Sequence, residues 1–154
     1  MSDQQFIKNY LQDFIEALKP DDDSVESLIQ VRNLLLEVNS NKKKVLIFGN
    51  GGSAAIASHF SVDLTKNAKI KCLNFNEASL ITCLANDYGF EHWAEKAIEF
   101  YGNEGDLLIV ISSSGQSENM LNAAEAARNC NFQSVITLSG FSENNPLRKL
   151  GDVN

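Results

Sequence analysis

The chain has little cysteine, three residues in 154, and Cys72, Cys83 and Cys130 form no C-x-x-C pair. An odd count without paired spacing suits reduced thiols in the core better than a disulfide framework. Proline is also scarce, with two residues, and no apolar run approaches the roughly 20 residues that a bilayer span requires. The opening Met1-Ser2-Asp3-Gln4-Gln5 lacks a basic region leading into a hydrophobic one. No membrane association and a cytoplasmic location are therefore the expectation. Basic charge is short as well: the net charge is -7, and Lys42-Lys43-Lys44 is the only basic run. A nucleic-acid binder working through phosphate neutralisation needs a basic face, so that class is excluded, and the lysine run reads as a solvated turn before a strand.

What is present is ordinary globular composition, 44% hydrophobic and 21% charged, at a length that suits one domain with a real core. Gln5 to Leu18 places Phe6, Tyr10, Leu11, Phe14, Ile15 and Leu18 at near-helical spacing, an amphipathic helix that must find a partner surface. Pro20-Asp21-Asp22-Asp23-Ser24 breaks it, and Ser24, with Ser27 behind it, is the expected cap of a second helix through Val38. Residues 1–40 thus form a helical pair, and residues 41–154 an alternating unit. Strands are predicted at Val45 to Phe48, Lys71 to Phe75, Asp106 to Ser112 and Ser134 to Leu138. Helices are predicted at Ala54 to Lys66, Ser79 to Leu84, Glu91 to Tyr101 and Ser117 to Asn129. The continuous apolar run Leu107-Leu108-Ile109-Val110-Ile111 is that of a strand buried on both faces. Strands alternating with helices imply an α/β, three-layer sandwich around a parallel sheet. Gly151-Asp152-Val153-Asn154 falls where a further strand would begin, so the unit reads as incomplete at its C-terminal side.

Two loops have the make-up of an anion site. Gly49-Asn50-Gly51-Gly52-Ser53 joins the first strand to a helix, and its glycines permit a tight turn with backbone N–H groups free at a helix N-terminus. Taken alone it is equally an ordinary turn with Ser53 as the cap, and it is neither a P-loop nor a dinucleotide fingerprint. The second loop, Ser112-Ser113-Ser114-Gly115-Gln116-Ser117-Glu118-Asn119, brings four hydroxyls to the start of another helix, more than capping requires. Both loops leave the C-terminal ends of their strands, the edge at which open α/β sheets bind ligands. Neutral dipoles can hold a phosphate without net positive charge. With no arginine near either loop in sequence, a small ligand such as a phosphosugar is expected.

Gly49-Asn50-Gly51-Gly52-Ser53-Ala54-Ala55, Leu84-Ala85-Asn86-Asp87-Tyr88-Gly89 and Ser112-Ser113-Ser114-Gly115-Gln116-Ser117, in this order, resemble the SIS (sugar isomerase) domain. The stretch Lys44 to Ser139 is most similar to its phosphoheptose isomerase branch. That resemblance implies a flavodoxin-like sandwich and a homotetramer with sites between subunits, whose contacts are made by the leading helices. It implies that Asn50, Gly51, Gly52, Ser53, Asn86, Asp87, Ser112, Ser113, Ser114 and Ser117 contact a sugar phosphate, the serines gripping phosphate and Asp87 a hydroxyl. The implied reaction converts sedoheptulose 7-phosphate to D-glycero-D-manno-heptose 7-phosphate through an enediol, with zinc at the active centre.

His59 and Asp63 stand four residues apart on one predicted helix face and could share a metal, although such a pair is also common on a solvated surface. Under the resemblance His59 matches the zinc histidine. Asp63 occupies the place of a glutamate that is both ligand and base, and its carboxylate is drawn back by roughly one C–C bond. Displacements of that size can cost about 10²-fold in rate. The segment Thr65 to Lys71 is shorter than in that branch and lacks its arginine, and the remaining zinc ligands, a glutamine and a histidine, are expected beyond Asn154. These departures leave a second class open, a non-catalytic phosphosugar-binding or regulatory SIS protein, for example one that binds a replication initiator. A relative acting on glucosamine 6-phosphate is less favoured, because it would share the serine loop but not the Gly49 to Ser53 and Asn86-Asp87 combination. His92 reads as a surface or capping group, and Glu91, Glu95 and Glu99 as a solvated helical face.

Overall fold

The computed structural model describes residues 1–154. Two helices, α1 (Asp3–Ala17) and α2 (Asp22–Ser40), precede β1 (Val45–Gly49) and α3 (Gly52–Val62). There follow β2 (Cys72–Asn74), α4 (Ala78–Tyr88), α5 (Trp93–Tyr101), β3 (Leu107–Ser112), α6 (Glu118–Asn129), β4 (Ser134–Ser139) and a short α7 (Pro146–Leu150). The four strands are all parallel in the order β2-β1-β3-β4, with Val45 opposite Leu107 and Leu107 opposite Ser134. Val153 adds a bridge to Ile136 on the open side of β4, where the sequence suggests that a further strand begins.

Strand side chains point alternately to the two faces, so each strand feeds two cores. Leu46, Phe48, Leu108, Val110 and Val135 pack with Trp93, Ala97, Ile98 and Met120 beneath α4 to α7. Val45, Ile47, Leu107, Ile109 and Ile136 pack on the other face with Leu35 and Val38 of α2 and Ala57 of α3. The result is the expected three-layer sandwich. Its strand order reverses direction between β1 and β3, and α3 and α6 leave those neighbouring strands towards opposite faces. A crevice opens between diverging loops at such a switch point.

Several local expectations are corrected. Asp21, not Ser24, caps α2: its Oδ1 accepts the Ser24 N–H at 2.7 Å, and a carboxylate at a helix N-terminus also meets the dipole favourably. The Ser24 hydroxyl, and then its backbone N–H, hold the Asp21 carboxyl below its ordinary range. Helix α4 runs on to Tyr88 rather than stopping at Leu84. The polar Asn86-Asp87 pair argues for an end there by propensity, but Tyr88 packs edge-on against Phe100 at 6.3 Å, with Lys96 over its ring, and this packing carries the helix further. The single helix expected over Ala54 to Lys66 becomes α3 plus a π-turn over Asp63–Asn67, closed by Ala68 N–H donating to the Asp63 carbonyl at 3.1 Å. Of the cysteines only Cys72 is buried, and burial pushes its thiol up to about 12, which rules it out as a nucleophile. Cys130 is half-buried. Cys83 is exposed, because it lies on the outward side of α4 beside the inward-facing Leu84.

Helix α1 buries none of its residues, leaving Phe6, Tyr10, Phe14 and Leu18 each more than half exposed. Leu28 and Leu36 of α2 continue that apolar surface.

Candidate functional site

The glycine loop turns on Gly51, whose φ of +53° lies in the left-handed region that glycine enters without strain. Gly51 is also the N-cap of α3, and it brings no side-chain cap. The Ser53 N–H bonds back to the Asn50 carbonyl at 2.9 Å, so Ser53 is not the cap that an ordinary turn would use. At the second loop Ser117 is the N-cap of α6, again with no side-chain cap bond. Its hydroxyl lies 3.2 Å from that of Ser112. Elsewhere α1, α2, α4 and α7 are all capped by side chains, those of Ser2, Asp21, Glu77 and Asn145. Two of the helices that lack such a cap, α3 and α6, start side by side at the switch point. The N–H groups that carry no bond there, those of Gly52, Glu118 and Asn119, and the positive dipole ends are the ingredients of an anion site.

A contact not anticipated from the sequence joins the loops. Asn50 Nδ2 donates to Asn119 Oδ1 at 2.9 Å, and Asn119 Nδ2 returns the bond to Asn50 Oδ1 at 3.0 Å. Asn119 is 3% exposed, so this amide pair satisfies a buried side chain and fixes the spacing of the two loops. It uses one donor and one acceptor position of the Asn50 carboxamide and leaves the others without a bond, so loop alignment is compatible with a ligand contact at Asn50. No sequence pattern flags such a pair, since its members are 69 residues apart.

The serine loop is braced from the far side by a segment that reads in sequence as a mere turn. Gly140 N–H donates to the Ser113 carbonyl at 3.1 Å and Leu147 N–H to the Gly115 carbonyl at 3.0 Å. The Asn145 side chain accepts the Arg148 N–H at 2.9 Å and donates to Ser139 Oγ at 2.9 Å and to the Ser142 carbonyl at 2.7 Å. This folding brings Arg148 to a cleft of about 360 Å³ that Ser53, Ser113 and Ser139 also line. The expectation that no arginine stands near the loops is thereby corrected: tertiary folding supplies one from a distant segment.

His59 and Asp63 do share a face. His59 Nε2 lies 3.6 Å from Asp63 Oδ2, and Asn67 Nδ2 donates to Asp63 Oδ1 at 3.1 Å, tying the carboxylate to the π-turn. Both are solvent-accessible, with the imidazole 82% exposed. Imidazole nitrogen and carboxylate oxygen are the donor types zinc takes, so the pair fits two of the usual four positions. No third His, Cys, Asp or Glu lies close enough to complete a cluster within one chain. Asn86 and Asp87, at the end of α4, are exposed and bond to each other at 2.9 Å. No hydrogen bond connects them to either loop within the chain.

The model of the SIS domain matches residues 7–140. The chain belongs to the SIS domain family. Among relatives it is 39% identical over 132 residues to the phosphoheptose isomerase of Helicobacter pylori (strain P12), covering 81% of this chain and 68% of that one. It is 40% identical over 114 residues to the phosphoheptose isomerase of Fusobacterium nucleatum, covering 71% of this chain but 57% of the other, so it spans between about half and two thirds of these relatives. The solved phosphoheptose isomerase GmhA of Neisseria gonorrhoeae superposes with a TM-score of 0.88 at 32% identity, over 99% of this chain and 84% of that one. Both loops lie within the residues that the SIS domain model matches.

Proposed function

We propose that this SIS chain is an aldose–ketose isomerase that converts sedoheptulose 7-phosphate to D-glycero-D-manno-heptose 7-phosphate. The observation that carries the reading is the meeting of the two uncapped helix N-termini, α3 and α6, with the serine hydroxyls between them. Similarity to phosphoheptose isomerases supplies the seven-carbon substrate. Ser112, Ser113, Ser114 and Ser117 hold the phosphate, with Gly51, Gly52 and Ser53 offering backbone and hydroxyl donors opposite. The reaction removes a proton from the ketose C1, leaves an enediol, and delivers a proton to C2 while the hydroxyl proton shifts from O1 to O2. Asp63 is the base in this scheme, and its carboxylate is accessible to a ligand. His59 and Asp63 would hold zinc, which when bound supplies Lewis-acid polarisation of the carbonyl.

The separation of Asn86 and Asp87 from the loops within one chain supports a homotetramer whose sites are completed between subunits. In that assembly residues 1–40 act as the oligomerisation element, covering the apolar surface of α1. Such an enzyme needs no membrane and works in the cytoplasm. Sedimentation velocity should give a mass about four times that of the chain, and Phe14→Asp should lower it; a parent protein that stays monomeric at high concentration would overturn the tetramer.

The deciding experiment follows sedoheptulose 7-phosphate by proton NMR in D2O, with zinc and again after chelation. Deuterium beside the carbonyl, aldose product and loss of both on chelation are expected. The 82% exposure of His59 and the aspartate at position 63 favour a second reading, a SIS phosphosugar-binding module without turnover. Ligand binding with no exchange would establish that reading in place of the isomerase.

A further inference from the structure

Of the chain's three arginines, Arg32 bonds to Asn33 and Arg128 to Asp152 and the Leu150 carbonyl, whereas the Arg148 guanidinium has no hydrogen bond or ion pair. An unpaired guanidinium is unremarkable on an open surface. Arg148 is itself exposed, but its backbone is held at a cleft wall by a chain of specific contacts. Leu147, fully buried, anchors α7 in the core, and Asn145 fixes the backbone of Arg148 itself. The strut from Gly140 to Ser113 and from Leu147 to Gly115 ties that anchor to the serine loop. The cleft beside Arg148 is lined by Ser53, Ser113, Thr137 and Ser139 together with Ile56, Ile111 and Leu138, and by no acidic side chain. The Thr137 hydroxyl bonds to Asn154 and that of Ser139 to Asn145, which leaves those of Ser53 and Ser113 without a partner. Glu143 lines an adjoining hollow that shares Ser139, Gly140 and Arg148 with the cleft, and it makes no ion pair with Arg148.

Hydroxyl donors, backbone N–H groups and one guanidinium without an ion-paired acid are complementary to a doubly charged phosphate. We propose that Arg148 is a phosphate-recognition residue, extending the serine-loop site into this cleft and selecting dianionic sugar phosphates over neutral sugars. The serine loop alone offers only dipoles; Arg148 adds the charge, delivered from outside the motifs that define the loops. This inference rests on the reading of the serine loop as a phosphate site.

The test is calorimetric titration of the whole protein with sedoheptulose 7-phosphate and with inorganic phosphate, for the parent, Arg148→Gln and Arg148→Lys, at two salt concentrations. Loss of a charged hydrogen bond predicts binding weakened about 10- to 100-fold in Arg148→Gln. Partial recovery in Arg148→Lys and a shallower salt dependence in the glutamine variant are also expected. Because the Arg148 side chain has no structural partner, the melting temperature of either variant should match the parent. Equal binding by the parent and Arg148→Gln would overturn the role of Arg148 and leave the serine loop standing. A parent protein that binds neither ligand would overturn the serine-loop reading itself.

Discussion

Asp63→Asn should retain sugar-phosphate binding and lose about 10²- to 10⁴-fold in kcat, the usual contribution of a general base. The amide preserves the size of the side chain and can still accept from Asn67, so α3 and its π-turn should remain in place. What it cannot do is take a proton. Turnover of sedoheptulose 7-phosphate together with the rate of deuterium uptake separates the two effects: both should fall together while the binding constant stays within a few-fold. A kcat within about 3-fold of the parent would remove Asp63 from the chemistry. Asp63→Glu restores the methylene that the resemblance associates with catalysis, and should keep or raise kcat if reach is what limits this residue.

Gly115→Ala is expected to damage the fold and the site at once. Gly115 has φ +63°, and a Cβ there would stand 2.0 Å from Asn145 Oδ1 and 2.2 Å from its Cγ. Left-handed backbone costs a non-glycine residue about 1–2 kcal/mol, and overpacking typically adds about 1–3 kcal/mol. A loss of about 2–5 kcal/mol corresponds to a fall in Tm of roughly 5 to 15 °C for a domain of this size. Because Asn145 joins the serine loop to Ser139 and α7, its displacement should also abolish detectable phosphate binding. Gly52→Ala is the matching control. Nothing lies within 4 Å of its Cβ position, and its φ is not in the left-handed region, so the fold should be unaffected. If the backbone of α3 meets the ligand closely, Gly52→Ala should lose affinity at unchanged Tm. Unchanged Tm in Gly115→Ala would show that Asn145 yields freely and is not a strut.

The legibility of this chain varied with the range of the interaction involved. Alternating apolar runs marked all four strands to within a residue or two, because a parallel strand buried on both faces has few compositions open to it. The helix ends were less legible: α4 outran its propensity because Tyr88 found Lys96 and Phe100, partners eight and twelve residues on. Helix α7 was missed, since its five residues Pro146–Leu150 sit behind a turn-like Asn144-Asn145 and are stabilised by contacts with the serine loop. The Asn50–Asn119 pair and the arrival of Arg148 were likewise invisible. Each depends on side chains brought together across the sheet, and neither residue type in isolation signals a partner.

The sequence by itself determined the class of fold, through the alternation of strand and helix periods. It also determined the glycine-rich and serine-rich loops, placed where strands end, and the His59–Asp63 pair, through helical spacing. These are local properties, set by steric and hydrogen-bonding preferences within a few residues. Only the tertiary structure decided that α3 and α6 begin beside each other without side-chain caps, that Asn119 locks the loops together, and that Arg148 lines a cleft beside the serine loop. It also separated Asn86 and Asp87 from those loops. The reason is geometric: packing two cores on one parallel sheet sets which remote segments meet at its C-terminal edge, and no short stretch of chain carries that information.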